Sequence, residues 1–199
     1  MARTRNEEAY NDAREKLLLV GTKLIRSGSY ESVGINDILR EGRIPKGSFY
    51  HYFDSKERFG LEVAKHYHAE LIADAEAILL DYTRAPLERL FAFFQDAYED
   101  FEERNFGQGC LMCNLTTELA DEEPAFQAVL QTNWLELSAV IAACVAELDK
   151  SEIGLEHLSD DEAADWLLNS WSGALTRMKA TRDGTPLQLF LKSTFKQRK

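Results

Sequence analysis

The sequence predicts an all-α protein, on three observations. Apolar residues recur at i, i+3 and i+4 almost throughout, alternating strand-like runs bounded by turn residues are hard to find, and all four prolines sit where a helix can open. About nine helices account for the chain.

The first runs over residues 7–27, with Leu17, Leu18, Leu24 and Ile25 on an apolar stripe, and ends at the Gly28-Ser29 turn. Ile35, Ile38 and Leu39 mark a second helix, too short to stand alone, that stops near Gly42. Pro45 suits the first position of a third, which reaches about Tyr52, because the N–H it lacks has no intrahelical partner there. Ser55 caps a long helix to about Leu80, and Pro86 opens one to Arg104 with Leu87, Leu90, Phe91, Phe94, Tyr98 and Phe101 on one side. Residues 105–108 form a loop. Helices follow over 109–120, from Pro124 to about Asp149, from the Ser159 cap to about Thr181, and from Pro186 to about Lys196; the polar stretch 149–158 reads as a loop.

Charge is distributed unevenly over the 199 residues. Residues 1–60 hold eleven Lys/Arg against nine Asp/Glu, about +2, whereas the remainder carries twelve against 25, about −13. The acidic remainder repels phosphate, so any nucleic-acid contact belongs to the N-terminal segment, provided its cations share a face. The chain has no run of about 18 apolar residues, and its start, MARTRNEEAYNDAREKLLLV, lacks the apolar core of a secretory signal; a cytoplasmic protein with no membrane partner is expected. Cys110, Cys113 and Cys144 are an odd count, which argues for free thiols.

Two short helices joined by a tight turn form a helix-turn-helix, whose second helix needs one buried and one free face. Ile44, Phe49, Tyr52 and Phe53 point toward Ile35, Ile38 and Leu39, while Lys46, Gly47, Tyr50 and His51 fall on the other side. That free face suits double-stranded DNA. Lys46 can meet phosphate or a guanine edge, Ser48 a base or phosphate, and Tyr50 and His51 backbone oxygens, while Gly47 lets the DNA backbone come close. Lys56 opens the next helix, where free N–H groups favour phosphate, and Arg3 and Arg5 can track the backbone or enter the minor groove.

The run KGSFYHYFDSKE, within VGINDILREGRIPKGSFYHYFDSKERF, resembles the DNA-binding segment of the TetR family of bacterial repressors. The resemblance is strong over residues 10–60 and rests on helix count and length elsewhere. Many members carry Ala where this chain has Leu39, and Gly where it has Arg43. If the turn needs a left-handed residue, Arg43 adopts that conformation at a cost of about 1 kcal/mol or more, and it joins the DNA-contact candidates. The resemblance implies an N-terminal DNA-binding domain (1–54), a helical ligand-binding and dimerisation domain (55–199), and a homodimer that reads a palindromic operator. The implied dimer faces are those of the last two helices, with Trp166, Ser170, Ala174, Leu187 and Phe190.

The body needs a site for a small-molecule inducer. Cys110, in the first turn of its helix after NFGQG, is a candidate reactive thiol because helix-terminal amides favour thiolate. The GCL run and the segment 171–179 resemble the electrophile-sensing (N-ethylmaleimide) and acrylate-responsive repressor branches of the family, where a cysteine in a GCL run senses electrophiles. Phe94, Tyr98, Trp134 and Trp171 are expected to line the pocket, with Arg177 as the cation for a bound carboxylate, unless Glu118 or Asp165 pairs with it. Neither a cofactor nor a metal is expected: a second CxxC and an HxxxH are both missing. A thiol-dependent enzyme is the least favoured alternative, since no base lies near the cysteines in sequence. A ligand-free architectural DNA-binding protein is the other.

Overall fold

The computed structural model describes the backbone of residues 2–195 and the side chains of residues 13–195. Among these residues there are nine α-helices and no strand: α1 (Ala2–Ser27), α2 (Ile35–Gly42), α3 (Lys46–Tyr52), α4 (Lys56–Leu79), α5 (Pro86–Glu103), α6 (Leu111–Leu119), α7 (Pro124–Val145), α8 (Asp160–Thr181) and α9 (Thr185–Thr194). Stretch 149–158 departs from a plain polar loop. A 3₁₀ turn (Lys150–Glu152) opens it, and Ile153 and Leu155 are buried in the body's core.

Helices α1 to α3 fold around Leu17, Leu18, Ile25, Ile38, Leu39, Phe49 and Phe53. Seven residues of α3 cannot hold a helix in water, so packing supplies its stability. Phe49 is fully buried, with ring centroids 5.6 Å from Phe53 and 5.3 Å from Phe59 of α4. Each such ring contributes about 1.5–3 kcal/mol by leaving water. A side chain at Gly21 of α1 would meet the Phe59 ring at 2.5 Å, so the glycine is what lets α1 and α4 cross closely. The same core continues past α4 into α6 and α7 through Leu111, Leu115, Phe126 and Leu130.

The turn after α2 is left-handed at Arg43 (φ 51°, ψ 41°), the conformation whose cost the family resemblance raised for a residue other than glycine, and its N–H caps the Arg40 and Leu39 carbonyls. Pro45 sits one residue earlier than expected, as the residue flanking α3.

The body packs α4, α5, α7, α8 and α9 around a second core. Phe94 lies 5.3 Å from Trp171 and 4.9 Å from Phe190, centroid to centroid. Arg89 is 1% exposed; it donates to the Leu79 carbonyl (2.7 Å) and to Glu147 (2.7 Å), and so ties α5 to the end of α4 and to the turn after α7. A buried guanidinium is tolerable only with such partners. Helix α7 is the one described helix long and apolar enough to cross a membrane. Its Leu137, Ile141 and Val145 are instead buried in the body's core.

Candidate DNA-reading face and ligand pocket

Helix α3 divides as the 3.6-residue period requires. Phe49 is buried and Tyr52 half-buried, whereas Lys46, Gly47, Tyr50 and His51 are exposed and Ser48 is half-exposed. Tyr50 is 60% exposed, an unusual placement for a large ring unless another surface covers it. A Cβ added at Gly47 would meet nothing within 4 Å, so the protein itself does not require glycine there. Charge is sorted in the same sense. Arg40 pairs with Asp37 and Lys23 with Glu41, while among the described residues Arg43 and Lys46 have no ion-pair partner. Lys56 is more committed than the sequence suggests: its ammonium donates to the Glu31 carbonyl (3.1 Å) and lies 4.6 Å from the Tyr30 ring centre. The backbone start of α4 is capped by Ser55, which accepts from the Arg58 N–H. The side chains of Arg3 and Arg5 lie outside the described residues.

A cavity of about 270 Å³ opens in the body between α1, α4, α5, α6, α7 and α8. Cys110, Trp134 and Trp171 line it, in agreement with their predicted grouping. Phe94 and Tyr98 do not: both are buried core residues, and Tyr98 donates its hydroxyl to Glu102. Arg177 also falls elsewhere, exposed on a groove between α8 and α9, because the outer face of α8 carries it away from the cavity. The cavity's buried cation is Arg26, from the last turn of α1. Arg26 is only 7% exposed. It was legible only as one basic residue near a helix end, and nothing in the local pattern marks its partner 83 residues away.

Arg26 and Gly109 clasp each other at two points. Arg26 Nε donates to the Gly109 carbonyl (2.9 Å), and the Gly109 N–H donates to the Arg26 carbonyl (3.0 Å). The guanidinium carbon lies 5.7 Å from the Tyr67 ring centre and 5.6 Å from that of Phe101, and Nη2 is 3.4 Å from Asp100. Asn114 Nδ2 adds a bond to the Ile25 carbonyl (3.3 Å), and Glu118 accepts from the Tyr30 N–H (2.7 Å). Glu118 therefore serves the turn between α1 and α2 and not Arg177; Asp165 accepts from Ser138.

Cys110 is the residue that caps α6, one position outside the first turn. Its thiol is pulled down from an ordinary 9.0 to about 6, first by a hydrogen bond from the Cys113 side chain and then by the Cys113 and Met112 amides and the Arg26 charge, against the opposing effect of burial. Cys113 moves the opposite way, held as a thiol by the same bond and by burial. Of the two thiols, Cys110 is the one shifted toward thiolate and Cys113 the one shifted toward thiol. Tyr67 places its hydroxyl 4.0 Å from the Cys110 sulfur, and burial, together with that neighbouring charge, keeps it protonated. Cys144 is buried apart from the cavity, its pKa raised by desolvation.

The groove between α8 and α9 is lined by Trp166, Ser170, Ala174 and Phe190, together with Gly173 and Leu189. Leu187 is not there. At 0% exposure it is sealed in the core of the chain itself, while Leu189, 56% exposed, occupies the outward position expected of Leu187. A shift of two residues on a helix turns a side chain by about 200°.

Comparison with known proteins matches both halves. Residues 17–63 match the model for bacterial regulatory proteins of the tetR family, and residues 86–194 match that for the tetracyclin repressor-like C-terminal domain. The chain is 31% identical to the HTH-type transcriptional repressor DhaR of Mycobacterium sp. (strain GP1), over 94% of this chain and 92% of that protein. It is 33% identical to the transcriptional regulator AcuR of Cereibacter sphaeroides, over 91% and 83%. The reduced form of NemR from E. coli has a similar fold, with a TM-score of 0.82 at 25% identity, covering 92% of this chain and 95% of that one.

Proposed function

Since the chain belongs to the TetR family of bacterial transcriptional regulators, which act by binding DNA, we propose that it is a homodimeric repressor released from a palindromic operator by a small electrophile that reacts at Cys110. In this reading residues 1–54 bind DNA, and residues 55–199 sense the inducer and dimerise. Lys46, Ser48, Tyr50 and His51 meet DNA, and Arg43 and the α4 start with Lys56 reach flanking phosphates. Gly47 admits the DNA backbone. Two copies pair through the α8–α9 groove, which sets their α3 helices about 34 Å apart, one turn of DNA.

The observation that carries this reading is that one cavity holds both Cys110 and a residue of the DNA-binding head, Arg26. The thiolate adds to an activated carbon–carbon double bond: the sulfur's electron pair forms the S–C bond, the π pair moves to the neighbouring carbon, and water protonates that carbon. The new bulk sits one residue from the Gly109–Arg26 clasp. Shifting the clasp moves α1, which shares its core with α2 and α3. About 1.4 kcal/mol of differential strain between the two head positions releases the operator tenfold.

The test is a footprint on the DNA flanking the protein's own gene, repeated with a panel of uncharged electrophiles and short acids. Protection of a palindrome that disappears with electrophiles supports the reading. Protection that no compound relieves points to an architectural protein.

A further inference from the structure

The cavity holding Cys110 is apolar inside and acidic at its opening. Its walls include Tyr67, Phe93, Phe101, Trp134 and Trp171. The exposed members of its lining mark the opening: Glu70, Asp74, Asp96 and Arg104, with Asp100 partly exposed beside them. Four carboxylates against the two guanidiniums of Arg26 and Arg104 leave the lining at a formal −2 before Cys110 is counted. Both guanidiniums face the same Asp100, and Arg26 is further spent on the Gly109 carbonyl. Glu70 lies 3.6 Å from His66. Among the described residues, Asp74 and Asp96 have no ion-pair or hydrogen-bond partner, so their charge is expressed at the opening.

From this we infer that the cavity selects its inducer by charge, admitting uncharged and cationic soft electrophiles and turning away carboxylate-bearing ones, with Asp74 and Asp96 as the specificity-determining residues. The inference rests on the reading of Cys110 as the sensor and adds the ligand class to it. An anion approaching the thiolate passes two uncompensated carboxylates at short range, where screening is incomplete. Inside, the buried guanidinium of Arg26 already has two of its three nitrogens on Asp100 and Gly109, which leaves less of its charge for a second anion. A cation gains twice, from the carboxylates and from the aromatic faces.

A charge series on one reacting ring tests this. The full-length protein is treated with N-ethylmaleimide, its trimethylammonioethyl analogue and 3-maleimidopropanoate. Adduct formation at Cys110 is followed by peptide mass spectrometry and normalised to an uncharged thiol, N-acetylcysteine methyl ester. The expected order is cation, neutral, anion, with roughly tenfold between the extremes at low salt and a narrower spread at high salt. In the Asp74→Asn/Asp96→Asn double variant the spread narrows to roughly threefold. An anionic reagent as fast as the cationic one overturns the inference, as does an unchanged spread in the variant or no adduct at Cys110 with any reagent. Operator release is read in parallel by fluorescence anisotropy. Adducts that form in the expected order without release would defeat the sensor reading alone; release with a flat order would defeat only the charge selection.

Discussion

Helix α3 and the Cys110 cavity use polar groups in opposite ways. Along α3 the outward residues Lys46, Gly47, Tyr50 and His51 are exposed, and Lys46, like Arg43 before the helix, has no ion-pair partner among the described residues. In the cavity, Arg26 and Cys110 are each held by several neighbours, and the buried guanidinium of Arg26 has two of its three nitrogens engaged, by Gly109 and Asp100. The head is built to gain partners from outside, and its chemistry depends on charge and reach. The body is built so that a change at one held group disturbs others, and its chemistry depends on packing and on a coupled thiol pair.

Neighbouring residues on α3 offer the sharpest contrast. Phe49→Ala leaves a cavity in a fully packed site and costs about 3–5 kcal/mol of stability, read as a lowered denaturant midpoint. Tyr50→Ala, one residue on, leaves that midpoint within about 0.5 kcal/mol, because exposed substitutions rarely move stability. Equal losses at both positions would break the assignment of faces. Gly47→Glu comes next: nothing in the protein obstructs a side chain there, so the fold survives, yet operator affinity falls on the order of 100-fold because a charged stem stands where DNA must approach. Lys46→Ala weakens binding by about 1–3 kcal/mol if it reads a base edge. A flatter dependence of affinity on salt for this variant would identify a phosphate contact.

The Cys110 thiol gives the body a pH dependence that can be measured. The Cys110 pKa is lowered to about 6, so the reactive thiolate is nearly fully formed at pH 7 and protonates as the pH falls through 6. Alkylation of Cys110 should drop roughly tenfold between pH 7 and pH 5 and stay flat above pH 7, whereas an ordinary thiol keeps accelerating toward pH 9. Cys113→Ala removes the first cause of the shift and moves the profile upward.

The same contrast explains what the sequence reveals. The faces of α3 were readable because a single helix period decides them, whereas the left-handed turn at Arg43 was expected only through the family resemblance, as the condition it placed on that position. Helix order followed from caps and prolines; the boundaries were less sharp, since α1 begins at Ala2 rather than residue 7 and α7 ends at Val145 rather than near Asp149. The cavity was harder because six helices converge on it. Aromatic spacing grouped Trp134 and Trp171 with Phe94 and Tyr98, but only the crossing angles decide that the second pair is core. Arg177 drew notice as a cation in an apolar segment, although it is exposed, while the buried cations Arg26 and Arg89 carry no local signal. Their partners lie 83 and 58 residues away for the Gly109 and Glu147 contacts.

The central claim is that chemistry at Cys110 controls what α3 holds. Its most direct test is the anisotropy of a labelled operator bound to the parent protein and to Cys110→Ser, each titrated with an uncharged quinone at pH 7. The account predicts that the parent releases the DNA while the serine variant, equally well bound at the start, keeps it. Equal release by both, or retention by both with Cys110 of the parent fully modified, would contradict it.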